Sequence, residues 1–410
     1  MQKHIVFVMG KYVPENSANV NCIKNVVCVL NKQNYRVSIV SVSHIRTGLD
    51  IVDDVMVHRI KYTDYASKLQ VCDSKIKKLM LIFGHFIKSV FLLPLFPNVT
   101  PLISYRVYKN LINIQKSEGI DCVIGVFRPY SSINAMFWFK RKYPYIPAIG
   151  YYLDIMMGAN KPLGIPKWLF EKLCYAAHKK DFSKMDKIFL PEYSKIYYKT
   201  DRFAPYKDKI VYLNFPTLLK ENYTGETQST SMTLVYAGTT NSIYRNPKRA
   251  INIFIKLKKR YPDLVFHLYG SSDMADELKK LEELSGGAFV YHGIVKKEEA
   301  DTALRQADYC INFGNNVSGM VPSKVFELIS SGKSIIHFTP GVMDSSLEYL
   351  MKYPKTHIID YSKSDEEIII DLLDALQKER QNIDYNTIEQ LFYSATPQAV
   401  SDKIIEIVAE

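Results

Sequence analysis

Residues 321–336 read Val321-Pro322-Ser323-Lys324-Val325-Phe326-Glu327-Leu328-Ile329-Ser330-Ser331-Gly332-Lys333-Ser334-Ile335-Ile336. A loop, a short helix, a glycine stop and a strand follow one another in sixteen residues. Ahead of them the apolar run Tyr309-Cys310-Ile311-Asn312-Phe313 reads as a buried strand, and Gly314-Asn315-Asn316-Val317-Ser318-Gly319 as a loop poor in bulky side chains. In an α/β sheet this order brings the amides of Ser323 and Lys324 to the carboxyl edge of the strands. There the helix dipole and unpaired N–H groups favour an anion such as phosphate. Glu327 points back to the same opening, where a carboxylate accepts hydrogen bonds from a ribose diol. Phosphate and ribose together describe a nucleoside diphosphate. The same spacing also suits an ordinary solvated pair, Lys324 and Glu327, three positions apart on one helix face.

The segment resembles the donor-binding motif of retaining glycosyltransferases with the GT-B fold, family 4, in the version Pro-Ser-Lys-x-Phe-Glu-x-x-x-x-Gly-Lys, here 322–333. The resemblance implies an α/β protein of two Rossmann-like, doubly wound domains facing a cleft, with a C-terminal helix crossing back to the first domain. It is strong over 233–338 and loose over 1–205. In 236–249, Gly238 with Arg245 and Lys248 is similar to the family's glycine loop, whose cations neutralise the leaving diphosphate. Fixed positive groups in a dry cleft stabilise that charge by several kcal/mol. These bases equally decorate a helix start. The turns at Gly270 and at Ile294 and Val295 match places where the family passes backbone near the nucleotide and its base. With Ser323, Lys324 and Glu327 they complete the implied donor site. On the acceptor side the family's His-Asp pair corresponds to Leu153-Asp154, which makes Asp154 the catalytic polar group, or else the N-cap of a following helix. Arg128, at another strand end, is placed to meet a phosphate of a lipid-linked acceptor, or is a plain surface arginine. One departure stands out: the family's first motif glutamate falls on Gly319.

Composition agrees with an ordinary globular protein of two domains. The chain has 410 residues, 47% apolar and 23% charged, enough for two domains of ~150–200 residues. Its six cysteines lie scattered without metal-ligand spacing and read as buried thiols of a reducing compartment. No Asp-x-Asp loop asks for a metal, Asp53-Asp54 reads as a charged turn, and no cofactor beyond the sugar nucleotide is implied. Met1-Gln2-Lys3-His4 leads straight into the strand-like Ile5–Met9, unlike a secretory signal. Charge is uneven: residues 1–200 hold 29 Lys and Arg against 13 Asp and Glu, a net +16, whereas 201–410 hold 24 against 29, a net −5. No nucleic-acid module accompanies the basic half, so an anionic membrane surface is the expected partner and nucleic acid is not. Between Lys75 and Phe96 basic and apolar residues alternate in blocks; Gly84, His85, Lys88 and Pro94 interrupt the run, which makes it a borderline membrane-spanning helix, and a helix lying on a membrane or helices packed on a sheet with lysines reaching outward are open beside it.

Alternating strands and helices occur twice. The first series runs from strand His4–Met9 through helix Val20–Lys32 and strand Val37–Val42. It continues through strand Cys122–Val126, helix Ser131–Lys142, and strands Ala148–Leu153 and Lys187–Pro191. The second starts at strand Thr233–Gly238 and ends with the opening segment. The expected division is 1–213 as the acceptor-side domain with 386–410 packing back on it, 214–231 as linker, and 232–385 as the nucleotide-sugar domain. The expected function is transfer of a sugar from a nucleoside diphosphate donor, UDP being favoured, to a lipid-linked or polysaccharide acceptor of the cell envelope, in the cytoplasm at the inner face of the plasma membrane. Alternatives are an epimerase or hydrolase on the same fold, or an inactive GT-B subunit that binds a partner enzyme.

Overall fold

The computed structural model describes residues 2–15, 17–43, 46–62, 68–69, 72, 74–156, 166–220, 232–315, 321–341, 344–378 and 381–410. The chain divides into two compact units, Met1–Pro216 with Pro397–Glu410, and Thr217–Thr396.

In the first unit the strands are β1 (His4–Met9), β2 (Arg36–Ser43), β3 (Gly48–Val52), β4 (Val55–Lys61), β5 (Cys122–Val126), β6 (Ala148–Tyr151), β7 (Lys187–Pro191) and β8 (Ile210–Leu213). They form one sheet in the order β3-β4-β2-β1-β5-β6-β7-β8. Every side chain of β1 is buried, as a strand covered on both faces requires. Its neighbours β2 and β5 are parallel to it, with Ile5 opposite Val37 on one side and Cys122 on the other. The winding direction therefore reverses between β1 and β5, and ligand crevices open at the carboxyl end of such a switch point. The exception to parallel pairing is the β3–β4 hairpin. Its turn residues Asp53 and Asp54 both take positive φ, 48° and 62°, the signature of a tight two-residue turn.

Helices α1 (Ala18–Lys32), α2 (Lys75–Phe91), α3 (Pro101–Ser117), α4 (Tyr130–Lys142) and α5 (Lys167–Phe182) connect these strands. The start of α1 is capped by Ser17, whose hydroxyl accepts the Val20 amide at 3.3 Å. Its inner face, Val20, Ile23, Val26, Val27 and Leu30, is buried at the spacing of an amphipathic helix. The C-terminal helix Pro397–Ala409 lies against α1, and Ser401 Oγ reaches the Val26 carbonyl at 3.4 Å. Cys28 and Cys72 correct the expectation that the cysteines are all buried: Cys28 sits on the outer face of α1 and is exposed, and Cys72 is half-buried.

The second unit holds β9 (Met232–Ala237), β10 (Leu264–Tyr269), β11 (Phe289–Gly293), β12 (Tyr309–Phe313), β13 (Ser334–Thr339) and β14 (Thr356–Asp360). The order is β11-β10-β9-β12-β13-β14, all parallel. Its helices are α6 (Lys248–Leu257), α7 (Ala275–Leu284), α8 (Lys297–Gln306), α9 (Lys324–Ser330), α10 (Asp365–Gln377) and α11 (Tyr385–Phe392). Here the switch point is between β9 and β12.

Several boundaries differ from the sequence reading. The β3–β4 hairpin, β8, β14 and α10 were not legible. Most β3 side chains are exposed at the sheet edge, so no apolar alternation marks it. Strand β6 ends at Tyr151, where its register with Phe189 of β7 stops. Helix α11 belongs with the second unit, because Ile388 and Phe392 are buried there, Tyr385 Oη donates to the Leu218 carbonyl at 3.3 Å, and the Leu218 amide donates to Ala395 at 3.1 Å. Of the expected linker, 217–220 likewise joins the second unit and 221–231 lies outside the described residues.

A buried polar cluster sits in the core of the first unit. Tyr130 Oη donates to Asp181 Oδ1 at 2.7 Å, and Tyr198 Oη meets His178 Nε2 at 3.2 Å. Burial is the largest effect on both ionisable groups: it pushes the Asp181 carboxyl up to about 7 and pulls His178 down to about 3. The folded protein thus binds the Asp181 proton more tightly than the unfolded chain does. The resulting stability is present below the unfolded carboxyl pKa of 3.8 and is lost as pH rises towards 7. At about 1.4 kcal/mol per unit the whole effect is on the order of 4 kcal/mol. Asp181→Asn, which keeps the shape and removes the titration, is expected to flatten the fall in urea midpoint between pH 5 and pH 8; an unchanged pH profile would locate the titrating group elsewhere.

Candidate functional site

In the second unit, β9 and β12 pair over only two residue pairs, Leu234 with Tyr309 and Val235 with Cys310. Beyond Cys310 the strands part, and the loops after them begin at Gly238 and Gly314. Three strand-end glycines hold the neighbouring edge together. The Gly238 amide donates to Tyr269 at 2.8 Å, and the Gly270 amide to Gly293 at 2.7 Å. Gly270 has φ +129°, and a Cβ there would collide with the Gly238 carbonyl, so close approach and backbone conformation both demand glycine. On the other side of the opening, a Cβ on Gly314 would strike the Asp344 carboxylate. That carboxylate accepts from His337 Nε2 at 2.7 Å, and His337 Nδ1 faces Asn312 Nδ2 at 2.9 Å. All three side chains are buried. Burial pushes the Asp344 carboxyl up, but the hydrogen bonds from His337 and from Ser346 prevail and hold it below the usual carboxylate range.

Arg245 is placed at this opening. Its Nε donates to Asn315 Oδ1 at 2.5 Å, and its Nη1 reaches the Thr239 carbonyl at 3.5 Å. Asn315 is itself buried, so the guanidinium is anchored by a fixed acceptor. Lys248 turns to Glu277 on α7, with which it forms an ion pair. Arg249 is tied to Asp365, to the carbonyls of Tyr361 and Lys363, and to the Tyr361 ring; it fixes the start of α10. Of these three bases, Arg245 is the one held beside the glycine loop after β12.

At α9 the Val325 and Phe326 amides close turns onto Pro322 and Ser323 at 3.1 and 3.2 Å, leaving Ser323 and Lys324 at the head of the helix. Thr217 Oγ1 donates to the Ser323 carbonyl at 3.0 Å. Lys324 Nζ donates to Glu327 Oε2 at 2.8 Å, with Asp301 at 3.9 Å. Burial works against the ammonium, but Glu327 and then Asp301 outweigh it and hold the Lys324 pKa above its usual value. Ile294 is exposed beside Gly293 and Val295 half-buried. Gly319 lies outside the described residues.

Two groups were missed from sequence. Asn315 carries no spacing signal, because its role is a contact across 70 residues. Behind the turn at Gly293, Tyr269 and His292 stack with centroids 4.0 Å apart and planes 4° apart, and His267 Nδ1 meets His292 Nε2 at 2.9 Å. Burial first, then His292, pulls His267 down to about 4.

In the first unit, a cleft of about 450 Å³ opens at the β1–β5 switch point, lined among others by Gly10, Ser17, Asn19, Arg128 and Asp154. Arg128 Nε is 3.8 Å from Asp154 Oδ2, both half-exposed. Gly10 lies so near Pro129 that a Cβ would sit 2.7 Å from its Cδ. Residues 155–156 are not helical, so Asp154 lines the cleft and does not cap a helix that starts there.

No protein-family model matches the sequence, and no curated protein matches it. Solved structures do match in shape. WaaG, a glycosyltransferase involved in lipopolysaccharide biosynthesis, superposes with a TM-score of 0.56 at 12% identity, over 98% of this chain and 99% of that one. The protein has the GT-B fold. OtsA, a trehalose-6-phosphate synthase, shares the GT-B arrangement with a TM-score of 0.62 at 8% identity, over 100% and 99% of the two chains. A trehalose-6-phosphate protein from E. coli bound with UDP-2-fluoro glucose gives 0.59 at 8% identity, over 99% of each.

The strand-end contacts of this GT-B chain are directly testable. Gly270→Ala is expected to lower the unfolding free energy by about 2–3 kcal/mol, the range for a strained backbone position whose new Cβ clashes with a neighbouring carbonyl. Urea unfolding would read it, with Gly286→Ala, which has positive φ but open space around it, as the milder comparison.

Proposed function

We propose that the protein is a glycosyltransferase that moves a sugar from a nucleoside diphosphate sugar, UDP being the favoured base, to a lipid-linked or polysaccharide acceptor in cell-envelope glycan biosynthesis. The observation that carries this reading is Arg245 anchored on buried Asn315 where β9 and β12 part. A guanidinium fixed at a switch point suits the developing charge of a leaving diphosphate. The GT-B likeness to WaaG supports it. The UDP sugar analogue held by the E. coli protein supports the donor class.

In this reading the diphosphate lies between Arg245 and the head of α9, with the Ser323 and Lys324 amides and the Lys324 ammonium on its oxygens. Gly238 and Gly270 let the backbone approach, Ile294 and Val295 border the base, and Glu327 takes the ribose hydroxyls, giving up part of its bond to Lys324. Lys248 joins the diphosphate only by leaving Glu277. The bond from the sugar's anomeric carbon to the diphosphate oxygen breaks and the bond to the acceptor oxygen forms on the same face. The acceptor's proton passes to the leaving phosphate, with retention and without a metal. Asp154 orients the acceptor hydroxyl, and Arg128 meets a phosphate of the acceptor. The enzyme works in the cytoplasm at the anionic inner face of the plasma membrane.

Calorimetric titration with UDP, GDP, ADP and CMP tests the donor site. One diphosphate is expected to bind, and Lys324→Ala and Glu327→Ala are each expected to weaken it about tenfold or more, the value of one charge-assisted hydrogen bond. Unchanged affinity in both variants would remove the donor-site assignment, and no binding of any nucleotide would favour a catalytically inactive partner subunit. Asn315→Ala frees the Arg245 guanidinium; a loss of about tenfold in diphosphate affinity, recovered in part by Asn315→Ser, is the expected result of the same titration. UDP-sugar turnover in the presence of a chelator tests metal independence.

A further inference from the structure

Helix α2 turns its apolar stripe away from the protein. Ile76, Leu79, Met80, Phe83, Ile87 and Val90 recur at helical spacing and are all exposed, Ile76 at 74%. None of the described side chains of α2 is buried. A helix packed on its own domain turns such a stripe to the core, yet here it is Leu81, on the opposite side, that is half-buried.

The apolar surface continues past α2. Leu95 and Val99 are exposed, as are Leu102, at 77%, and Tyr105 on α3. Phe96 packs edge-on against Phe170 with centroids 6.0 Å apart. Two residues before Phe170, Trp168 is 59% exposed, with the Lys172 ammonium 5.2 Å from its ring. Exposed apolar side chains gathered in this number along 76–105, with Trp168 two residues from Phe170, mark a binding face.

Charge selects the occupant. Between Asp73 and Glu118 there is no acidic residue, while Lys75, Lys77, Lys78, Lys88, Arg106, Lys109 and Lys116 are basic. A protein–protein interface core is depleted in lysine, and a second copy of the same face would set lysine against lysine. Basic residues flanking a stripe of Phe, Leu and Ile, with Trp at the rim, fit the boundary of an anionic bilayer. Seventeen residues at 1.5 Å each make about 25 Å, short of a hydrocarbon core of about 30 Å. Among the described residues no helix is long and apolar enough to cross a membrane, so α2 lies in the plane.

We infer that α2, rimmed by Leu102, Tyr105 and Trp168, inserts its apolar face into the headgroup–acyl boundary of an anionic membrane, with Lys75 and Lys77 meeting lipid phosphates along its flanks. The inference rests on the membrane-surface reading above and assigns it to one helix. The lysines' long stems let their charges reach the headgroups while the stripe sits deeper.

Vesicle co-sedimentation of the full chain tests this, using phosphatidylcholine with and without phosphatidylglycerol at low and high salt. The wild type is expected to bind only the anionic vesicles, and less at high salt. The exposed double variant Leu79→Glu with Phe83→Glu is expected to lower the bound fraction about tenfold or more, and the triple variant Lys75→Ser, Lys77→Ser, Lys78→Ser to do so comparably. Unchanged thermal unfolding would show that both variants fold. Wild type bound while both variants bind equally well overturns the assignment to α2 and leaves the membrane reading standing. Wild type that binds no vesicle removes both. Self-association in the ultracentrifuge, abolished by the glutamate variant and without vesicle binding, would give the face to a second copy and overturn the inference as well.

Discussion

A parallel sheet in which the chain winds first one way and then the other must stop pairing somewhere at its carboxyl edge, and the rest of the second unit is arranged around that gap. Strands β9 and β12 share two residue pairs and then separate. The loops that leave them cannot hydrogen-bond to each other as strands do, so their polar groups are available to side chains and ligands. Arg245 from one loop and Asn315 from the other meet across the gap. The glycines at the ends of β9, β10 and β11 lock the edge by direct backbone contact, which leaves no room for a Cβ at Gly270.

Charges around this gap are matched in advance. Lys324 is held by Glu327 and Asp301, Lys248 by Glu277, Arg249 by Asp365 and two carbonyls. A cation whose partner lies on the same helix turn keeps its charge at little desolvation cost and can exchange that partner for a ligand oxygen. Arg245 differs in having neutral acceptors, Asn315 and the Thr239 carbonyl, so its positive charge is oriented without being cancelled. The first unit has the opposite character: its basicity lies on the outside with the apolar face of α2, while its core absorbs neutral or protonated polar groups such as His178 and Asp181.

Much of this was readable from local pattern. Strand β1 is buried on both faces and β12 is a short apolar run before a glycine loop, and both were placed to the residue because burial imposes composition. The helix after the Pro-Ser-Lys segment and its stop at Gly332 followed from turn chemistry: Gly332 has φ +72°, and a Cβ there would press on the Ile383 carbonyl. Edge elements were not readable. Strand β3 exposes most of its residues, and α11 carries the same apolar spacing whichever unit it covers.

The sequence by itself determined two α/β series, the glycine-bounded loop before α9, the uneven charge and the mixed basic and apolar run from Lys75 to Phe96, because each is a property of residues close along the chain. The tertiary structure decided which base stands at the opening, that Asn315 anchors it, that Lys248 turns to Glu277, and that the apolar face of α2 points outward. Periodicity gives a helix two faces but not the side on which the protein lies. Loop composition supplies cations but not the partners that orient them, since those partners lie 29 to 70 residues away and are brought together only when the sheet is complete.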